Sequence, residues 1–217
     1  MYIAIEGVIG VGKTTLARLL QNTFDAEIML EVFEENPFLS DFYSDRERYA
    51  FQTQIFFLLS RYHQQRRTVH DMLQTGKSLL ADYTFAKDAL FARINLKGDE
   101  LDMYYKVHEA LAEKIEKPDL LVYLQASTDT LMQRIALRDR PYERQMERSY
   151  IHELNLAYDD FFSKPFDHTP VLTIDSNHLN IIQNPEHLKL IENRIRQSLN
   201  LPPYQQTFIF PDATAGA

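Results

Sequence analysis

The sequence predicts an α/β fold, a three-layer α/β/α arrangement with a five-stranded parallel sheet. Two observations carry this. Short β-favouring runs alternate with segments whose apolar residues recur every three or four positions, as in strands joined by crossover helices. The first run leads through Gly7-Val8-Ile9-Gly10-Val11-Gly12-Lys13-Thr14 into a helical segment, which fits the phosphate-binding pattern G-x-x-x-x-G-K-[ST] in its strand, loop and helix setting.

Each element has its own signal. Tyr2 to Ile5 is a β-favouring run that ends in the glycine loop, and Thr14 to Phe24 sets Leu16, Leu19 and Leu20 at helical spacing. Glu27 to Phe33 reads as a second strand, broken by "EENPF". From Arg46 to Thr75 there is no glycine or proline, and Phe51, Ile55, Leu58, Leu59 and Tyr62 mark one long helix. Ser78 to Ala81 is a buried-type strand between Gly76 and Asp82, followed by a helical stretch from near Thr84 through Ile94. Leu101 to Glu116 is amphipathic and stops before Pro118. Leu120 to Leu124 is a strand, and "STDT" caps a helix beginning near Thr130. The basic segment Arg134 to Arg148 leads into a helix around Tyr150 to Phe162. Val171 to Ile174 is the last strand and Glu186 to Leu199 the last helix. One domain is expected over residues 1–200, with 201–217, ending "PDATAGA", as an unstructured tail.

Composition narrows the functional classes. The 217 residues suffice for one α/β core, and 45% hydrophobic with 25% charged residues is ordinary for a globular chain. A formal net charge of −8 argues against a nucleic-acid partner, because backbone phosphate binding rests on clustered positive charge. Any phosphate bound is then a small ligand at a local cationic site. The absence of cysteine excludes disulfides and thiolate metal sites and fits a reducing cytoplasm. Neither a signal peptide nor a membrane span is expected.

In the loop, Gly7, Gly10, Val11 and Gly12 would present backbone amides to a nucleoside triphosphate, and the helix that follows adds its positive N-terminal dipole. Lys13 would reach the outer phosphates, Thr14 would hold Mg²⁺, and Thr15 follows in the same cradle. Asp82, at the end of the strand Ser78–Ala81, is either a Mg²⁺ partner or a helix N-cap. Glu31, Glu34 and Glu35 cluster near the end of the second strand, where a carboxylate can take a proton from an attacking hydroxyl. Arg134 and Arg138 share a helix face and Arg140 follows, so three guanidinium groups can converge on a transferring phosphoryl group as an arginine-rich lid.

Five blocks in order then carry a resemblance: "GVIGVGKTT", "EVFEENPFLSDFY", "FQTQIFFLLSR", "DYTFAKDALFA" and "RIALRDRPYE". From Met1 to about Leu199 the chain resembles the deoxynucleoside kinase family, particularly its bacterial deoxyadenosine and deoxyguanosine branch. The resemblance implies a P-loop nucleoside triphosphate hydrolase type of fold and transfer of the γ-phosphoryl group of ATP to the 5′-hydroxyl of a deoxynucleoside, with Mg²⁺. It implies Glu31 as general base, in a motif that here reads Glu31-Val32-Phe33 without the family's proline. It implies Tyr43 and Glu143 as partners of the sugar 3′-hydroxyl, and Gln54 as the reader of the base edge. Arg61 and Asp88 go with purine or cytosine acceptors, a purine being favoured, and Phe91, Phe56 and Phe57 are candidates to wall the base. The family's acidic-arginine-serine motif reads Asp82-Tyr83-Thr84 here, so Tyr83 cannot supply the arginine's charge and Lys87 is the candidate to replace it. A homodimer formed through the helices Arg46 to Thr75 and Leu101 to Glu116 is a further implication. The alternatives are a nucleoside monophosphate kinase such as thymidylate kinase, and a non-kinase nucleotide switch.

Overall fold

Five strands, all parallel among the described residues, are ordered β2-β3-β1-β4-β5. They are β1 (Tyr2–Glu6), β2 (Ala26–Met29), β3 (Ser78–Ala81), β4 (Leu120–Gln125) and β5 (Val171–Asp175). The computed structural model describes residues 1–203 except 34, 165 and 167. The expected tail is therefore described only over 201–203, and Glu34 lies outside the described residues.

The helices are α1 (Lys13–Leu20), α2 (Leu39–Ser44), α3 (Arg46–Gln74), α4 (Lys87–Asn95), α5 (Gly98–Ala112), α6 (Thr128–Arg138), α7 (Arg148–Phe162) and α8 (Pro185–Ser198). β1 is the central strand, paired through Ala4↔Ala81 with β3 and Ala4↔Leu121 with β4, and every residue in it is buried. Its side chains alternate as the pleat requires. Tyr2 and Ala4 pack with Leu79, Ala81 and Tyr83 against Val69 of α3, while Ile3 and Ile5 join the larger cluster with Leu16, Leu80 and Leu124. Because β1 is central, its loop emerges between the ends of β3 and β4, the crevice where open α/β sheets take ligands.

The expected strand and helix order holds, with local differences that have physical causes. β2 stops at Met29 and does not run to Phe33: the Asp82 carboxylate takes the Glu31 N–H at 2.8 Å, which removes that donor from a continued ladder. α4 begins at Lys87 and not near Thr84, because the Thr84 N–H and hydroxyl are both committed to the buried Glu6 carboxylate. α6 begins at Thr128, two residues early, with Ser127 accepting from the Thr130 N–H. The short α2 and a 3₁₀ turn at Pro141–Glu143 had no expectation attached; both are too short to show helical periodicity.

Candidate active site

The loop after β1 is held to its neighbours by two glycines. A Cβ on Gly7, at φ 146°, would meet the Leu124 carbonyl oxygen at 2.5 Å, and one on Gly10, at φ 86°, would meet Ile135 Cγ1 at 2.7 Å. Only glycine lets the loop lie this close to β4 and α6 in these conformations. The Lys13 ammonium donates to the carbonyls of Gly7 and Val8 at 2.6 and 3.2 Å. Burial and the neighbouring Lys87 lower its pKa to about 8, against the opposing pull of Glu6, Glu31 and Asp82.

Asp82 lies at the end of β3 and joins two parts of the cleft. Its Oδ2 accepts from the Thr14 hydroxyl at 2.5 Å, and its Oδ1 accepts from the Glu31 N–H. The N-cap alternative for Asp82 fails, since α4 starts five residues later. A hydroxyl beside a carboxylate is an oxygen donor pair suited to Mg²⁺, which completes its shell with water and phosphate oxygens. Among the described residues no group of three or more His, Cys, Asp or Glu forms an all-protein metal cage.

Glu31 is the centre of the charge network. Lys87 Nζ donates to its Oε2 at 2.6 Å, and Arg61 donates to its Oε1 from Nε at 2.9 Å and from Nη2. Burial pushes the Glu31 pKa up, but the charges and hydrogen bonds of Arg61 and Lys87 outweigh it and hold the carboxyl well below the usual carboxylate range. Arg61 also pairs through Nη1 with the fully buried Asp88, and its guanidinium lies 4.4 Å over the Phe57 ring. Tyr83 does not face the cleft. It is fully buried, with its hydroxyl donating to Gln64 at 2.7 Å and its ring 5.4 Å beneath the Lys87 ammonium. Tyr83, expected among the substrate-binding residues, is instead a support for Lys87, because two positions after β3 its phenol points into the layer between sheet and α3.

Across the cleft, Arg138 donates to both Glu143 carboxylate oxygens at 2.6 and 2.7 Å, and Arg140 lies 3.7 Å from one of them and 4.2 Å over the Phe33 ring. Arg134 does not converge with them. Its guanidinium donates to the Val11 carbonyl at 3.1 Å and to the Ser176 carbonyl at 2.6 Å, tying the phosphate loop to the chain after β5. The four-residue spacing does put Arg134 and Arg138 on one side of α6, but the bonded loop carbonyl captures the first of them. Val11 itself is buried, and its carbonyl is held by Arg134.

A single cleft runs from the donor loop past Glu31 to α3 and opens to solvent. Its deep end is walled by Thr53, Gln54, Phe57 and Phe91, with Tyr43 and Tyr142 at the side, their rings nearly parallel at 12°. Phe56 is not part of this wall, since one step along α3 turns it to another face. Gln54 is 2% exposed, and its amide oxygen has no hydrogen-bond partner among the described residues; a buried amide aimed into a cleft calls for a donor from a ligand. Asp88 reaches the cleft only through Arg61. Phe33, Tyr142 and Tyr158 also line it and were not anticipated. Tyr142, two residues after Arg140 in the basic segment, carried a weak signal; Tyr158 carried none.

The family model described as deoxynucleoside kinase matches residues 3–200. The deoxyguanosine kinase of Bacillus subtilis is 35% identical over 90% of this chain and 96% of its own length. The deoxyadenosine kinase of Dictyostelium discoideum is 33% identical, over 80% of this chain and 71% of its own. Among solved structures, a deoxyadenosine kinase from M. mycoides with the products dCMP and a flexible dCDP superposes with a TM-score of 0.79 at 26% identity, covering 91% of this chain and all of that one.

Proposed function

This chain belongs to the deoxynucleoside kinase family, and we propose that its cleft moves the γ-phosphoryl group of ATP to the 5′-hydroxyl of a purine deoxynucleoside with Glu31 as general base. One observation carries the assignment of roles: the Asp82 carboxylate has one oxygen on Thr14 of the donor loop and the other on the backbone of Glu31. Donor and acceptor halves thus share one rigid strand end. The backbone amides of the loop and Lys13 bind the donor phosphates. Thr14 and Asp82 would hold Mg²⁺, which when bound supplies charge neutralisation on the donor phosphates.

The acceptor sugar lies toward Tyr43 and Glu143, and its base toward Gln54 and the Arg61–Asp88 pair. Arg61 and Lys87 hold Glu31 as the carboxylate, the form that takes the 5′-hydroxyl proton as the oxygen attacks phosphorus. Lys87 stands 2.6 Å from that carboxylate and offsets negative charge developing at the reaction centre. Arg138 and Arg140, oriented by Glu143, approach from the opposite side. Deoxyguanosine or deoxyadenosine is the preferred acceptor, the substrates for which the similar Bacillus and Dictyostelium enzymes are named, with deoxycytidine next.

The test is ATP consumption measured against each of the four deoxynucleosides and their 5′-monophosphates. Turnover only with nucleosides, led by a purine, supports the reading. Turnover with monophosphates would make it a monophosphate kinase, and acceptor-independent hydrolysis a switch. A homodimer through α3 and α5 is part of the same reading, supported by Leu59 and Met103, exposed large apolar residues on those helices; gel filtration with light scattering tests it.

A further inference from the structure

Glu6, the last residue of β1, is fully buried and has no part in the roles assigned above. Its carboxylate takes four donors. Oε1 accepts from the Thr84 N–H at 2.6 Å and the Thr84 hydroxyl at 2.9 Å; Oε2 accepts from the Gly7 N–H and the Tyr158 hydroxyl, both at 3.3 Å. A carboxylate leaves water at this cost only where donors replace the lost solvation, and these come from three separate places: the donor loop, the turn after β3, and α7.

The β1–β3 register pairs end at Ala4↔Ala81. Beyond them the Glu6 side chain continues the connection, from the first glycine of the loop to Thr84. Asp82 does the same on the other side of β3, where the last β2–β3 pair is Met29↔Ala81 and the carboxylate takes the Glu31 N–H. From Thr84 the chain reaches Lys87 in three residues, and from Gly7 it reaches Lys13 in six.

We propose that Glu6 is a positioning residue for phosphoryl transfer, fixing the spacing between the phosphate loop and the Asp82–Lys87 segment that supports Glu31. The proposal rests on the kinase reading above. The group must be a carboxylate because the Thr84 and Gly7 contacts are backbone N–H donors; an amide offers a single acceptor oxygen and sets its NH₂ against the other donor. The geometry it fixes acts on the chemical step, since a displacement of about 1 Å between reacting groups costs on the order of 10²-fold in rate.

The experiment is steady-state kinetics of Glu6→Gln in the full chain, with folding checked by circular dichroism and thermal melting. The expected result is a kcat lower by roughly 10- to 100-fold, with KM for ATP and for the deoxynucleoside each within about 3-fold. Thr84→Val, which removes one donor to the same carboxylate, should lower kcat less, and should add nothing in the Glu6→Gln background. A folded Glu6→Gln enzyme with normal kcat overturns the proposal, as does a loss confined to KM or one recovered in proportion on cooling below the melting range. Should Glu6→Gln not fold, Thr84→Val alone decides: unchanged kcat overturns the proposal. A wild-type chain without acceptor-dependent turnover would instead sink the kinase reading.

Discussion

Lys87 Nζ lies 2.6 Å from Glu31 Oε2, and this lysine comes from the first turn of α4, five residues after Asp82. The residue directly after Asp82 is the buried Tyr83, whose ring supports the lysine from below. One of the two positive charges beside the proposed base therefore arrives one helical turn late and on a flexible stem, the other being Arg61 on Oε1. Lys87→Met should lower kcat by about 10²-fold and leave the KM for ATP nearly unchanged, whereas Lys87→Arg should keep much of the rate. A methionine variant turning over at the wild-type rate would remove Lys87 from the chemistry.

Glu31→Gln keeps the shape of the side chain and removes its ability to accept a proton. Turnover should fall by about 10²- to 10⁴-fold, while ATP affinity, measured by calorimetry, stays near wild type because the loop amides and Lys13 are untouched. Near-normal activity would require another base.

Arg61 and Asp88 are buried together, and Asp88 is wholly inaccessible. Arg61→Met alone strands a buried carboxylate and should cost about 3 kcal/mol in urea denaturation, while Arg61→Met with Asp88→Ala should recover much of it. The double variant should also move the acceptor ranking toward thymidine. An unchanged ranking would mean that the pair is structural and does not read the base.

The two arginines of α6 should separate kinetically. Arg138, held by Glu143 at the cleft, should on replacement by methionine lower kcat by about 10²-fold. Arg134, bonded to the Val11 and Ser176 carbonyls, should on the same replacement raise the KM for ATP while sparing kcat. Identical effects from both would contradict this division.

His108 stacks on Phe85 at 4.9 Å between ring centres, and burial lowers its pKa from the ordinary value despite its hydrogen bond to the Phe85 backbone and the nearby Glu109. Below the unfolded value near ~6.5 the unfolded chain binds a proton that the native chain resists, so this group costs stability as pH falls. Urea midpoints should therefore drop between about pH 7 and 5, and less steeply in His108→Phe. An equally steep drop in that variant would assign the acid sensitivity to other groups.

The sequence by itself determined what is local. The glycine loop, the strand and helix order and the Ser127 cap depend on spacing within a few residues, and the folded chain has each of them. Local reading put Glu31 and Asp82, and the family resemblance Gln54, on segments that the fold brings to one cleft. Only the tertiary structure decided the pairings. Strand order β2-β3-β1-β4-β5 sets the ends of β2, β3 and β1 side by side, so Asp82 captures an N–H 51 residues away and Glu6 reaches Thr84 across 78 and Tyr158 across 152. The same long-range geometry turned Arg134 toward the loop and withdrew Tyr83 beneath Lys87. Helical and strand periodicity tells which face a side chain takes, but its partner depends on which elements the sheet sets beside one another.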